Sequence, residues 1–216
     1  QPYGLACGAQ VGVDAVKKAL PFIELFYKLE AEWNQRWRDP ILGAGGHPTF
    51  DKQGVGVFTV NPAIIEGGTY LASISGQVKI TYSVWHPNSV PAETIWEEIR
   101  QAVSALASTD DWLKEHPPVI NVPILQEWKG YAVSEDLPGV VSLKRAIKNT
   151  LRQEAVISGF KAVCDSTYLN NNGIPAVTFG PGNLDLGVHG DDEYIPISQL
   201  IDAAKVYASF ILDWCG

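Results

Sequence analysis

The sequence contains no methionine, and only three of its 216 residues are cysteine, with no CxxC pair among them. Without a methionine, Gln1 is not a translation start, so the chain reads as a fragment, a processed subunit or a trimmed piece of a longer polypeptide. Cys7, Cys164 and Cys215 are too few, and odd in number, for a disulfide framework, which points to a reducing compartment such as the cytoplasm. No apolar run approaches the roughly 18 residues of a membrane span. The segment from Gln1 to Gln10 lacks the basic start and apolar core of a secretory signal. Basic residues are scarce: 16 Lys and Arg stand against 24 Asp and Glu, a formal charge of −8, and no Lys/Arg cluster offsets it. Nucleic acid and anionic membrane surfaces are therefore poor partners. HExxH and GxSxG are absent, and no Lys or Arg follows Gly180-Pro181-Gly182, which excludes a P-loop.

What remains is globular. At 46% apolar and 19% charged residues, the chain can bury one large core or two small ones and is not a disordered composition. Gly12 to Arg36 has the period of a helix, with Val13, Val16, Leu20, Ile23 and Tyr27 forming an apolar stripe. Pro21 lies inside it, where it removes a hydrogen bond or introduces a kink. A Gly- and Pro-rich loop from Asp39 to Gly54 leads to a short strand, Val55 to Val60. Gly76 to Trp85 alternates, with Val78, Ile80, Tyr82 and Val84 on one side, and reads as a half-buried strand. Pro91 to Leu106 is a second helix, burying Ile95, Ile99, Val103 and Leu106 and turning Glu97 and Glu98 outward. Val119 to Leu125 is a further strand.

The order over residues 12–125 is helix, strand, strand, helix, strand. One strand before it, weakly suggested by Tyr3 to Gly8 and expected upstream of Gln1, completes a βαββαβ ferredoxin-like unit. After Lys129 the pattern changes to an α/β layer. It comprises a helix from Leu137 to Arg152, a buried strand from Ile174 to Phe179, a polar loop and a helix from Pro196 to Trp214. The final helix should bury Ile197, Leu200, Ile201, Ala204, Val206, Tyr207 and Ile211, with Pro196 in its first turn.

Of the four histidines, His47, His86 and His116 read as surface or capping residues. His189 stands apart, in Gly187-Val188-His189-Gly190-Asp191-Asp192-Glu193-Tyr194, after a strand and before a helix, where α/β sheets bind ligands. A neutral imidazole suits zinc-class metals, and nearby carboxylates can orient it. The alternative is a solvated acidic loop that favours the following helix N-terminus. Cys164-Asp165-Ser166-Thr167 reads as the cap of a short helix reaching Leu169. Gly180-Pro181-Gly182 reads as a tight turn that lets backbone approach a bound molecule.

In this order, Gly173-Ile174-Pro175-Ala176-Val177-Thr178-Phe179-Gly180-Pro181-Gly182 followed by His189-x-x-Asp192-Glu193-Tyr194 resembles the C-terminal signature of the M20 family of metallopeptidases and amidohydrolases. That family includes acetylornithine deacetylase, succinyl-diaminopimelate desuccinylase and glutamate carboxypeptidase types. Cys164-Asp165-Ser166 resembles its Ser/Thr-Asp segment. Gly12 to Val16 and Glu66-Gly67-Gly68 resemble the first helix and the Gly-Gly turn of its lid.

The resemblance implies a lid and dimerisation domain at 1–127 and, at 128–216, the C-terminal part of a zinc-peptidase-like α/β catalytic domain. The reaction it implies is metal-dependent hydrolysis of an N-acyl or peptide amide bond of an amino-acid derivative. About two divalent ions serve each complete site, zinc or alternatively cobalt. His189 is implied as metal ligand, Asp165 and Gly180 as walls of the substrate pocket, and Asp192 and Glu193 as partners behind the ligand. The general base and the other ligands are implied to lie in an N-terminal half outside this chain, which alone would be inert. The lid implies a homodimer.

Ala72 and Ser75 stand where many family lids carry Asn and Pro, and the Arg common near the end of the next strand is absent from Val84-Trp85-His86-Pro87. A non-catalytic dimerisation remnant of the same family, or a plain binding module built on Gly180 to Gly182, are the competing readings.

Overall fold

The computed structural model describes residues 12–37, 57–121, 128–160, 162–183 and 186–216. They fall into two compact units, 12–37 with 57–121 and the stretch from 128 onward. His47, Cys7, the weak strand from Tyr3 to Gly8, the loop from Asp39 to Gly54 and most of the strand read at Val119 to Leu125 lie outside the described residues.

In the first unit, helix α1 spans Ala15–Arg36. Asp14 caps it, its carboxylate accepting the Val16 N–H at 2.9 Å. The helix runs through Pro21. Its buried face differs from the expected stripe: Phe22, Leu29 and Trp33 are buried, whereas Val16, Leu20 and Tyr27 are exposed. Both stripes are apolar and helically spaced. The buried one carries the larger rings, and Trp33 packs 5.5 Å from Phe58 while Phe26 stacks on Tyr82 at 4.2 Å.

Strand β1 is Thr59–Gly67, not 55–60, and pairs antiparallel with β2, Val78–Trp85, from Thr59↔Trp85 to Gly67↔Val78. The register slips between Pro62 and Ile64. Proline cannot donate to a ladder, so a strand carrying one needs such an irregularity. No third strand joins the pair among the described residues. Mixed helix and strand content is observed; the four-stranded ferredoxin-like layout is not.

Helix α2, Ala92–Ala107, buries Ile95, Ile99 and Val103 as its spacing predicts, and Ala107 in place of Leu106, which is only partly buried. Glu98 does not face outward alone: it accepts the Trp33 indole N–H at 2.8 Å and pairs with Arg36. Residues of α1 also serve β1. The Asn34 carboxamide donates to Phe58 O at 3.0 Å and accepts from Phe58 N–H at 2.8 Å, and Glu30 accepts the Val60 N–H at 2.6 Å. Helix α3, Asp111–Glu115, is capped by Asp110, which accepts from Trp112 and Leu113 N–H. The Lys18 ammonium bonded to Asp110, helped by those N–H groups, holds its carboxyl below the usual range.

In the second unit, α4 is Pro138–Leu151, α5 is Ser166–Asn171 and α6 is Ile197–Cys215. Helices α4 and α6 pack against each other, with Ser142 and Ala146 buried on the one and Ala203 and Val206 on the other. Asp213 on α6 accepts from the Ser142 hydroxyl and from Arg145 at 2.8 Å. The apolar side expected to bury is largely the other one: Ile197, Leu200, Ile201, Tyr207 and Ile211 are exposed, and of that set only Val206 is fully enclosed. Small residues on the narrow face allow close approach, so the helix packs there. Pro196 occupies the N-cap rather than the first helical position.

Residues 174–180 form no strand, and Ile174 and Val177 are exposed, contrary to the buried strand expected. No neighbouring strand lies beside them among the described residues. A side chain takes that role instead. The Asn170 carboxamide donates to Ala176 O at 2.8 Å and accepts from Ala176 N–H at 3.1 Å.

Candidate active site

The loop between 180 and α6 is organised by glycine and by side chains reaching back to its backbone. Gly182 has φ +97°, a conformation that favours glycine, and its N–H donates to Gln199 Oε1 at 2.9 Å, pinning the turn to α6. At Gly180 a Cβ would meet only the Tyr207 hydroxyl, at 3.8 Å, so neighbouring atoms do not demand glycine there. That hydroxyl donates to Phe179 O.

His189 sits further along on a turn closed by Gly190 N–H to Gly187 O at 2.7 Å and by Tyr194 N–H to Leu186 O at 3.2 Å. Its φ is 64°, left-handed, and Gly187 beside it has φ 74°. The His189 backbone N–H donates to Glu193 Oε2 at 3.2 Å. His189 is exposed, and its ring has no hydrogen-bond partner among the described residues. Asp191 and Asp192 are exposed beside it. Imidazole nitrogen suits a zinc-class ion, and an unengaged ring on a built turn fits one ligand of such a centre. Among the described residues no group of three or more His, Cys, Asp or Glu could hold a metal ion.

Asp165 precedes α5 but makes no capping bond, and neither does Ser166, contrary to the cap expected there. Backbone carbonyls do that work: Thr167 N–H bonds Cys164 O at 3.1 Å and Tyr168 N–H bonds Asp165 O at 3.0 Å. The Asp165 carboxylate is left exposed with no hydrogen bond among the described residues. Ser166 turns instead to Thr178 Oγ1 at 3.0 Å, tying the segment at 164–166 to the one at 174–180. No hydrogen bond joins Asp165, Gly180 and His189 to one another among the described residues.

The same corner holds a feature that the spacing did not reveal. The Cys164 thiol is ringed by the hydroxyls of Ser166 at 3.0 Å, Thr178 at 3.5 Å and Tyr131 at 3.7 Å. Burial pushes the thiol up, and these hydrogen bonds together outweigh it, leaving it below its ordinary range. Tyr131 and Thr178 are far from Cys164 in sequence, so no local motif announces the ring.

The other histidines are engaged locally. His116 ends α3, its Nδ1 3.1 Å from Trp112 O and its ring stacked on Trp112 at 4.3 Å. His86 Nδ1 lies 3.1 Å from Pro87 O. In the hairpin, Ser75 is buried; its hydroxyl accepts the Gly68 N–H at 3.0 Å and donates to Gln77 O at 2.7 Å, so this departure from the lid pattern has a structural use. Ala72 is exposed and offers no polar group.

Among the described residues no helix is long and apolar enough to cross a membrane. The model of peptidase family M20/M25/M40 matches residues 19–213. Two curated relatives are each named N-formyl-4-amino-5-aminomethyl-2-methylpyrimidine deformylase. The one from Bacillus subtilis is 30% identical over 98% of this chain and 48% of its own length. The one from Halalkalibacterium halodurans is 28% identical over 97% of this chain and 48% of its own length. The chain thus spans about half the length of the curated relatives it matches. Matched over nearly its whole length, from the second turn of α1 to the last turn of α6, the chain belongs to peptidase family M20/M25/M40.

Proposed function

We propose that this chain is the lid, residues 1–127, and the C-terminal part of the catalytic domain, residues 128–216, of a metal-dependent amidohydrolase that removes a formyl group from an amine. The reading is carried by the two relatives, both named as deformylases and both aligned to nearly all of this chain. The lid supports the substrate choice. Ala72 replaces an amide side chain, and the run Val84-Trp85-His86-Pro87 supplies no arginine. Those donors suit a substrate carboxylate, and a neutral N-formylated aminopyrimidine has none. N-acylamino acids and peptides are the weaker choice for the same reason.

His189 contributes one nitrogen to the metal, with Asp192 and Glu193 behind it. Asp165, whose carboxylate is exposed and unengaged, and Gly180 form part of the pocket wall. A bound zinc polarises an amide carbonyl and lowers the pKa of its water. The remaining ligands and the general base come from polypeptide corresponding to the other half of the relatives. The complete protein works in the cytoplasm as a homodimer.

The test is metal analysis and turnover of the full-length protein. It should carry about two zinc or cobalt ions per catalytic unit. It should also deformylate an N-formylaminopyrimidine faster than it cleaves an N-acetylamino acid. His189→Ala should lose one ion and all turnover. The 216 residues alone should show neither tight zinc binding nor hydrolysis. A full-length protein without metal or turnover would instead support the dimerisation remnant.

A further inference from the structure

We propose that Glu193 is the positioning residue of His189: its carboxylate takes the His189 backbone N–H and so fixes the direction in which the imidazole leaves the chain. The inference rests on the reading of His189 as a metal ligand. The bond measures 3.2 Å and spans four residues. His189 holds a φ of 64°, a conformation that non-glycine residues keep only when their surroundings enforce it. The Gly190 N–H to Gly187 O bond, at 2.7 Å, closes a turn with His189 at its third position, where a positive φ is usual, and Tyr194 to Leu186 at 3.2 Å closes the wider loop; neither uses the N–H of residue 189 itself.

There is no slack on the glycine side, because a Cβ at Gly190 would come within 2.9 Å of Gly187 O. The ring is exposed and makes no hydrogen bond among the described residues, so it is aimed through its backbone, by this turn and by the Glu193 bond together. Releasing the N–H would loosen the turn at residue 189 and let Cβ with its imidazole drift from its direction. Asp191 and Asp192 carry the same charge in the same turn, yet neither carboxylate makes a hydrogen bond among the described residues. The role is therefore one of geometry through the backbone, distinct from a carboxylate that bonds the second ring nitrogen.

The experiment uses the full-length protein, with zinc as the probe and chelator competition as the measure of affinity. Glu193→Ala should weaken zinc binding about 10- to 100-fold, the range typical of lost outer partners. Glu193→Gln, whose carboxamide oxygen accepts the same N–H, should stay within about threefold of the parent, because the acceptor survives. Asp191→Asn removes an equal charge from the turn and should also stay within about threefold.

Independently of metal, the His189 amide proton should exchange faster in Glu193→Ala and at the parent rate in Glu193→Gln. Equal zinc affinity in Glu193→Ala and the parent would overturn the proposal. So would a Glu193→Gln as weak as Glu193→Ala, or an Asp191→Asn as weak as either. Should the parent and His189→Ala take up zinc equally, the hydrolase reading fails, and the exchange rates alone decide whether Glu193 holds the turn.

Discussion

Tyr82 shows what one atom costs. Its hydroxyl is buried without a hydrogen-bond partner among the described residues, and burial first, then the charge of a neighbouring Tyr27, pushes its pKa up to about 12. The ring is well used, stacked at 4.2 Å on Phe26. An unpaired buried hydroxyl costs about 1–3 kcal/mol, so Tyr82→Phe keeps the ring and removes the penalty. The urea midpoint of Tyr82→Phe should rise by an amount equivalent to about 1 kcal/mol. A lower midpoint would mean that the hydroxyl is bonded to a water. Nothing in Val78 to Val84 foretells this orphan: alternation says which side chains point inward, not whether a polar tip finds a partner there.

At the scale of elements, the α4–α6 contact is held by a carboxylate. The Ser142 hydroxyl lowers the Asp213 carboxyl below its usual range, against some desolvation, and Arg145 adds to the lowering. A carboxylate with a depressed folded pKa contributes stability above its unfolded value and loses it as pH falls through the folded one. Asp213→Asn should therefore melt below the parent at about pH 7, and the gap should begin to narrow below about pH 4, where ordinary carboxylates protonate, and close only well below it, once the depressed folded pKa is passed. Thermal melts followed by circular dichroism at the two pH values check it, and a gap that persists in acid would contradict the assignment. Helices were the elements most readable in advance, because period and caps are local: α2 and α4 begin and end within a residue or two of expectation. Which stripe of α1 or α6 buries was not readable, since each helix has more than one apolar face and the partner decides. The segment at 174–180 has strand composition, but a strand needs a neighbour that no local pattern supplies. At the candidate site, the place of His189 on a loop ahead of the last helix was legible. The grip of Glu193 on a backbone N–H was not, because any of three acidic side chains stood within reach.

For the whole molecule, the sheet of the first unit has unequal edges. Asn34 and Glu30 occupy the N–H groups of Phe58 and Val60 at the start of β1, whereas no third strand pairs with β2 among the described residues. Open edges are covered or paired in stable proteins. The homodimer proposed above should use β2, and sedimentation of the full-length protein at tens of micromolar should show a dimer. A strict monomer would rule out pairing by this edge. The second unit bears on handling rather than assembly. Ile197, Leu200, Ile201 and Ile211 form a greasy ridge along α6, opposite the side that meets α4. A formal charge of −8 argues for easy solubility, yet sulfate acts on exposed hydrocarbon and not on net charge. Ammonium sulfate should salt this chain out well before its acidity suggests, and polar residues along that ridge should delay precipitation without touching the loop that carries the imidazole.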